Sequence, residues 1–361
     1  MKLPRVVICG YYGYGNGGDE ALLLALIQQL QQLPNPVQPV VLSRQPAQTA
    51  ASYPVLACPR FNGLALQRCL QEAEVFVWGG GSLLQDRTSW RSPLYYLGVM
   101  GWAQQLRLKT LAWAQGIGPL DRVWIRGLVR RSLVGCTAIS VRDRAASQLL
   151  EDWGIPHQVA PDPVWGLRSK TLPEWETWPQ PRIAVVLRQH PQLTPARLSS
   201  LGQGLVRLQA ATGAYLLFIP FQLAPQGSPE LGADYRLAQE LQQHLPDSSR
   251  VLDIRDPCLL KGIFRGVRLA ITMRYHGLVM AAAEGCACFG LSYDPKVSNL
   301  LQELGMPGWD LEELPTDPET LHRAWLSCYE TGLALSSAEI ETWVQRSAQH
   351  GELLRQQLSR G

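Results

Sequence analysis

The sequence predicts an α/β protein made of two halves, each a parallel sheet with helices on both faces. Three observations lead there. Short apolar runs of strand type alternate with helical patterns along the 361-residue chain. Turns rich in glycine or charge follow those runs, and the alternation is interrupted once, by a Pro- and Trp-rich stretch over 160–181, before it restarts. Strands separated by helices pair in parallel, because each crossover must return the chain to the same sheet edge. A chain of this length can bury two cores of ordinary size. With 46% apolar and 17% charged residues, it falls outside the disordered class.

Taken in order, Arg5-Val6-Val7-Ile8-Cys9 reads as a buried strand. Residues 21–33 read as a helix with Leu22, Leu23, Leu26, Ile27 and Leu30 toward a core. Between them lies Gly10-Tyr11-Tyr12-Gly13-Tyr14-Gly15-Asn16-Gly17-Gly18-Asp19-Glu20. A glycine-rich turn opening a helix can present backbone amides to an anion. Gly13, Gly15 and Gly18 also satisfy G-x-G-x-x-G, and we read that match as a decoy. Asp19-Glu20 put two carboxylates where a pyrophosphate would sit, and no acidic ribose partner follows about 20 residues on. Arg44 in that region would suit a 2′-phosphate, which keeps a nicotinamide enzyme as an alternative. The plain reading of Asp19 is an ordinary helix N-cap.

Further strands end at further turns: Val75-Phe76-Val77-Trp78 at Gly79-Gly80-Gly81-Ser82, and Leu111-Ala112-Trp113-Ala114-Gln115 at Gly116-Ile117-Gly118-Pro119. Thr137-Ala138-Ile139-Ser140-Val141 ends at Arg142-Asp143, with a helix to about Trp153. In the second half, strands at 182–187, 215–220, 269–272 and 287–291 alternate with helices at 195–212 and 278–283. Residues 337–360 read as one polar-faced helix. The resulting division is 1–165, 180–335 and a C-terminal helix over 336–361 that packs back on the first domain. Two α/β halves joined by a linker place the site in the cleft between them, at the carboxyl ends of the strands.

Net charge is +3, too mild to argue for nucleic acid. Eight cysteines lie scattered without metal-type spacing, as reduced thiols in a cytosolic protein would, so no metal is expected. No apolar run approaches the roughly 20 residues of a membrane helix, and the N-terminus is not a signal peptide. Trp78, Trp90, Trp102, Trp113 and Trp124 crowd the first half. Core packing explains them best, and a platform for sugar rings is the alternative.

Four cations follow predicted strands: Arg142, Arg188, Arg274 and Lys296, with His276 opening a helix beside Arg274. Singly, each reads as a solvated loop residue. Together at one sheet edge they would repel unless an anion binds among them, and a phosphorylated carboxylate has the charge to do so.

The motifs resemble those of the polysaccharide pyruvyl transferases, in particular the cell-surface branch linked to S-layer anchoring. The resemblance rests on the Gly10–Glu20 turn, Gly79-Gly80-Gly81-Ser82-Leu83-Leu84-Gln85-Asp86, Gln115-Gly116-Ile117-Gly118-Pro119, Ser140-Val141-Arg142-Asp143, Asp162-Pro163-Val164, Arg274-Tyr275-His276-Gly277 and Ser292-Tyr293-Asp294-Pro295-Lys296. It covers most of the chain and departs at Tyr275, where leucine is expected. It implies two Rossmann-like domains in a glycosyltransferase-B-like arrangement. It also implies phosphoenolpyruvate as donor, with no cofactor, and a hexose acceptor that gains a pyruvate ketal. That acceptor would be a lipid-linked glycan, handled at the inner face of the cytoplasmic membrane by peripheral contact. His276 and Asp19 are then the acid–base candidates, and Arg142, Arg188, Arg274 and Lys296 the donor's anchors. Tyr12, Asn16, Gln85 and Asp86 are the acceptor-side candidates. A nucleotide-sugar glycosyltransferase on the same scaffold is the competing enzyme. A non-catalytic glycan-binding protein is a third reading, though binding alone needs no His and Asp at strand ends.

Overall fold

The computed structural model describes residues 3–87, 89–228 and 230–358. The chain divides into two compact units, residues 1–167 with 343–361 and residues 168–342.

The first unit runs β1 (Arg5–Cys9), α1 (Gly17–Gln31), β2 (Gln38–Ser43), α2 (Pro46–Ser52), β3 (Leu56–Pro59), α3 (Gly63–Gln71), β4 (Val75–Trp78), β5 (Gly81–Leu84), α4 (Arg91–Gln105), β6 (Lys109–Ile117), α5 (Val123–Val134), β7 (Ala138–Val141), α6 (Arg144–Asp152) and β8 (Gln158–Val159). Its strands pair in parallel in the order β3-β2-β1-β4-β6-β7-β8, with β5 on β6. Side chains alternate between faces along a strand. Accordingly Val7, Cys9, Phe76 and Trp78 enter one core, while Val6, Ile8, Val75 and Val77 enter the other. α1 turns Leu23, Leu26, Ile27 and Leu30 into the second core, each contributing about 1.5–3 kcal/mol.

The second unit runs β9 (Arg182–Val186), α7 (Pro195–Thr212), β10 (Tyr215–Phe218), α8 (Ala233–Gln242), β11 (Ser249–Val251), α9 (Pro257–Gly262), β12 (Leu269–Thr272), α10 (Tyr275–Ala283), β13 (Ala287–Ser292), α11 (Pro295–Leu304), β14 (Gly308–Asp310) and α12 (Pro318–Thr331). Its parallel order is β11-β10-β9-β12-β13-β14, with one core formed by α7, α12 and the strand face they cover. Both sheets start in the middle, wind to one edge, return and wind to the other. Each therefore has a switch point, between β1 and β4 in the first and between β9 and β12 in the second, where such sheets bind ligands.

The Pro- and Trp-rich stretch is not a loose tether. Buried Arg182 stacks 4.1 Å from the Trp175 ring and donates to the carbonyls of Trp175, Trp178 and Pro179, which fastens the stretch to β9. The C-terminal helix is two helices, α13 (Ser337–Ser347) and α14 (Gln349–Leu358). The Ala348 amide still reaches the Val344 carbonyl, but the chain turns there so that His350, Leu353 and Leu354 are buried.

Candidate active site

In the first unit, the turn after β1 and the glycines after β4 flank the switch point. Asn16 caps α1, its side chain accepting from the Gly18 and Asp19 amides at 3.0 and 3.2 Å. Asp19 is therefore not the cap. Glu20 accepts from the Gly13 amide at 2.9 Å and from the Tyr53 hydroxyl at 3.0 Å, and burial raises its pKa. The amides that a dinucleotide pyrophosphate would need are thus held by the turn's own side chains. Gly81 has φ +121, and a Cβ there would lie 3.2 Å from the Asp19 carboxylate. Glycine alone accommodates both that backbone and that approach. Tyr12 is fully buried against Gly10 and Gly79, its hydroxyl without a hydrogen-bond partner among the described residues.

Arg142, after β7, is buried and donates to Asp162 at 2.7 Å and to the Ser82 hydroxyl at 3.1 Å. The expectation that it joins Arg188, Arg274 and Lys296 at one sheet edge is corrected here: β7 pairs with β6 and β8, so Arg142 belongs to the first sheet. Asp86 is buried and accepts from the amides of Asp121 and Arg122 at 2.8 and 2.9 Å, which clamps the 118–122 loop. Gln85 precedes it, half-buried.

In the second unit, β9 and β12 are neighbours with Val186 opposite Thr272, and Thr272 is opposite Gly290 of β13. Just beyond that register the chain leaves β9 toward Arg188 and leaves β12 toward Arg274, while Ser292 is the last residue of β13. A Cβ on Gly277 would lie 2.5 Å from the Thr272 hydroxyl and 3.0 Å from Val186. The first turn of α10 consequently rests on the switch point and sets half-buried His276 there, edge-on to Tyr275 with ring centres 5.4 Å apart. Arg274 is ion-paired with buried Asp234 of α8. Lys296, in the first turn of α11, lies 3.4 Å from Asp294. Arg188 sits 4.5 Å from the centre of the Tyr293 ring, and its buried Nε has no hydrogen-bond partner among the described residues.

Of the predicted cations, then, two are neutralised by buried aspartates and one by a half-buried aspartate two residues before it in sequence. Arg188 has no carboxylate partner among the described residues. Sequence reasoning missed His190, whose ring lies 5.3 Å from that of Tyr293. Burial, then the Arg188 charge, hold its pKa below the usual histidine range. Its only sequence signal is its place two residues after Arg188. Among the described residues no cluster of three or more His, Cys, Asp or Glu is arranged to hold a metal ion. No described helix is long and apolar enough to cross a membrane.

The family described as polysaccharide pyruvyl transferase matches residues 16–295. No curated protein matches the chain. Among solved structures, UDP-GlcNAc 2-epimerase from Methanocaldococcus jannaschii is similar with a TM-score of 0.66 at 12% identity, over 100% of both chains. The same enzyme from Neisseria meningitidis, bound to UDP-GlcNAc, gives 0.62 at 8%, again over 100% of both. Sucrose-phosphate synthase from Thermosynechococcus elongatus gives 0.59 at 14%, over 99% of this chain and 100% of that one. At such identities the likeness is one of fold: two Rossmann-like domains with parallel sheets.

Proposed function

The chain belongs to the polysaccharide pyruvyl transferase family, and we propose that it moves a pyruvyl group from phosphoenolpyruvate to a hexose of a cell-surface polysaccharide precursor. The observation that carries this reading is the second switch point. There Arg188, whose charge has no carboxylate partner among the described residues, follows β9, and Arg274 follows the neighbouring β12 at the turn that holds His276. A small anion with both carboxylate and phosphate suits guanidinium and ammonium groups placed at strand ends.

Ketal formation requires a proton on the methylene carbon of the enolpyruvate, which leaves oxocarbenium character at C2. One sugar hydroxyl then adds at C2, the C2–O bond to phosphate breaks, and a second hydroxyl closes the ring. Of the two hydroxyl protons, one leaves with phosphate and the other, taken up by the base, balances the proton that the general acid gave to carbon. His276 is assigned as the general acid and Asp19 as the base for the acceptor hydroxyl. Arg188 and Lys296 hold the donor, and Arg274 supports them through its pair with Asp234. Tyr12, Asn16, Gln85 and Asp86 shape the acceptor side. The acceptor in this reading is lipid-linked, of the kind used in S-layer anchoring, and no cofactor takes part.

The test is mass spectrometry of candidate acceptors incubated with the protein and phosphoenolpyruvate. The expected product is an acceptor carrying one added pyruvyl group, with phosphate released. Unchanged acceptors across a panel of hexoses would count against the reading. One neighbour in fold is bound to UDP-GlcNAc, which favours a nucleotide-sugar-dependent glycosyltransferase as the second reading. Thermal stabilisation by UDP-sugars but not by phosphoenolpyruvate would select it.

A further inference from the structure

The first unit carries a surface that the reaction does not use. α5 begins Val123-Trp124, and Val123 is 85% exposed and Trp124 50% exposed. Leu128 and Val134 of the same helix are exposed as well, as is Trp90 at the N-terminus of α4. Trp90 and Trp124 meet edge to face with ring centres 6.2 Å apart, so the apolar residues of the two helices form one patch. Isolated exposed apolar residues are ordinary, whereas a contiguous group marks a contact surface.

The charge carried by α5 itself has one sign. Residues 122–136 carry Arg122, Arg126, Arg130 and Arg131 and no acidic residue, and Arg91 lies over the Trp90 ring at 5.3 Å. Two acids in the loops that precede the helices are paired: Asp121 lies 3.7 Å from Arg87, and buried Asp86 3.7 Å from Arg122. Arg91, Arg126, Arg130 and Arg131 form no ion pair among the described residues and are exposed. The surface is also held firmly. Asp86 accepts from the amides of Asp121 and Arg122, and Arg122 donates to the Asp86 carbonyl at 2.9 Å, which ties the loop before α4 to the loop before α5.

We propose that this face docks on an anionic lipid bilayer, with Trp90, Val123, Trp124 and Leu128 at the headgroup level and the arginines against lipid phosphates. Tryptophan favours the boundary between headgroups and acyl chains, and arginine adds attraction to anionic lipid. A second copy of the chain is a poorer occupant. A symmetric contact sets the same patch on both partners, so it would face arginine against arginine. The patch lies beside the loops at the carboxyl ends of β5 and β6, the edge of the sheet where the acceptor-side candidates sit. Bilayer docking there would bring a lipid-borne acceptor to that edge. Only this purpose rests on the proposed function; the binding itself does not.

The test is co-sedimentation of the full chain with vesicles of 30% phosphatidylglycerol in phosphatidylcholine, and with phosphatidylcholine alone. Expected is binding to the anionic vesicles only, weakened by salt. The triple variant R126S/R130S/R131S should lose about fivefold in partitioning for each arginine removed. Trp90→Ala with Trp124→Ala should abolish the binding that remains at high salt. Both variants should keep the parent's melting temperature and its activity on a water-soluble acceptor. Absence of binding, or equal binding by parent and variants, would overturn the proposal. So would a dimer in analytical ultracentrifugation that Trp124→Glu dissociates. Loss of pyruvyl transfer in every assay, with vesicle binding intact, would instead count against the proposed function alone.

Discussion

The carboxylate of Asp19 sits at the start of α1, where aspartate usually serves the helix, yet here Asn16 performs the capping. Asp19→Asn leaves that cap in place, and the helix-dipole part of the lost charge is about 0.3–1 kcal/mol. If Asp19 is the general base, Asp19→Asn should fold with a melting temperature within a few degrees of the parent. Its turnover should fall about 100-fold or more. An active variant in the mass-spectrometric assay would remove Asp19 from the reaction. At the second switch point, Arg188→Ala and Lys296→Ala should each weaken phosphoenolpyruvate binding by about 1.5–3 kcal/mol. Their effects should not add, since both act on one anion; calorimetric affinity at the parent level in both would move the donor elsewhere. The candidates were legible in the sequence because strand ends are legible. Their partners were not. Asp162 lies 20 residues from Arg142 and Asp234 lies 40 from Arg274, and no periodicity relates residues that meet only when a sheet assembles. Arg142 was grouped with the wrong cations for the same reason.

α14 carries one buried titratable side chain. His350 is fully buried, with Nδ1 2.9 Å from the Ser140 hydroxyl and Nε2 3.0 Å from the Pro161 carbonyl. A carbonyl only accepts, so Nε2 carries the proton and Nδ1 accepts from Ser140. That neutral ring is what the site stabilises, and burial pulls its pKa down to about 4. The unfolded chain has an ordinary histidine near 6.5 and binds more protons between these values. Stability from this residue is therefore complete above about pH 6.5 and is lost as pH falls toward 4, by about 3 kcal/mol in all. His350→Gln should flatten the fall in melting temperature over that range, relative to the parent; parallel curves would show that His350 does not titrate there. The helix was expected as one polar-faced segment with residues 337–360 continuous. The turn at Ala348 has no glycine or proline to announce it, because it is imposed by docking. In contrast, the strands β1, β4, β9, β12 and β13 were readable as short apolar runs, since strands buried on both faces must be apolar throughout.

Across the whole molecule, the chain crosses from the first unit to the second at about residue 167 and returns at about 343. The second unit is thus continuous and owns its core, around Trp325, Leu205, Leu216 and Ile271. The first unit is not. It needs α14, which buries Leu353 and Leu354 on the face of β6 and α1, and it needs Trp343, stacked on Trp165 with ring centres 5.0 Å apart. Trp113 donates its indole N–H to the His350 carbonyl at 3.2 Å, and Lys109 reaches the Gln357 carbonyl at 3.1 Å. Without residues 343–361, two leucines' worth of burial is lost, about 1.5–3 kcal/mol each. The Trp113 donor is also left unmet inside the core, at about 1–3 kcal/mol. Those losses approach the about 5–15 kcal/mol that holds a typical domain together. Residues 168–342 expressed alone should therefore melt cooperatively, while residues 1–167 alone should not. Restoring 343–361 to the first fragment through a flexible linker should recover a cooperative transition. Circular dichroism melts of the three fragments check this. A cooperative melt of 1–167 by itself would show that the C-terminal helices are an appendage, and that the first sheet closes its own core.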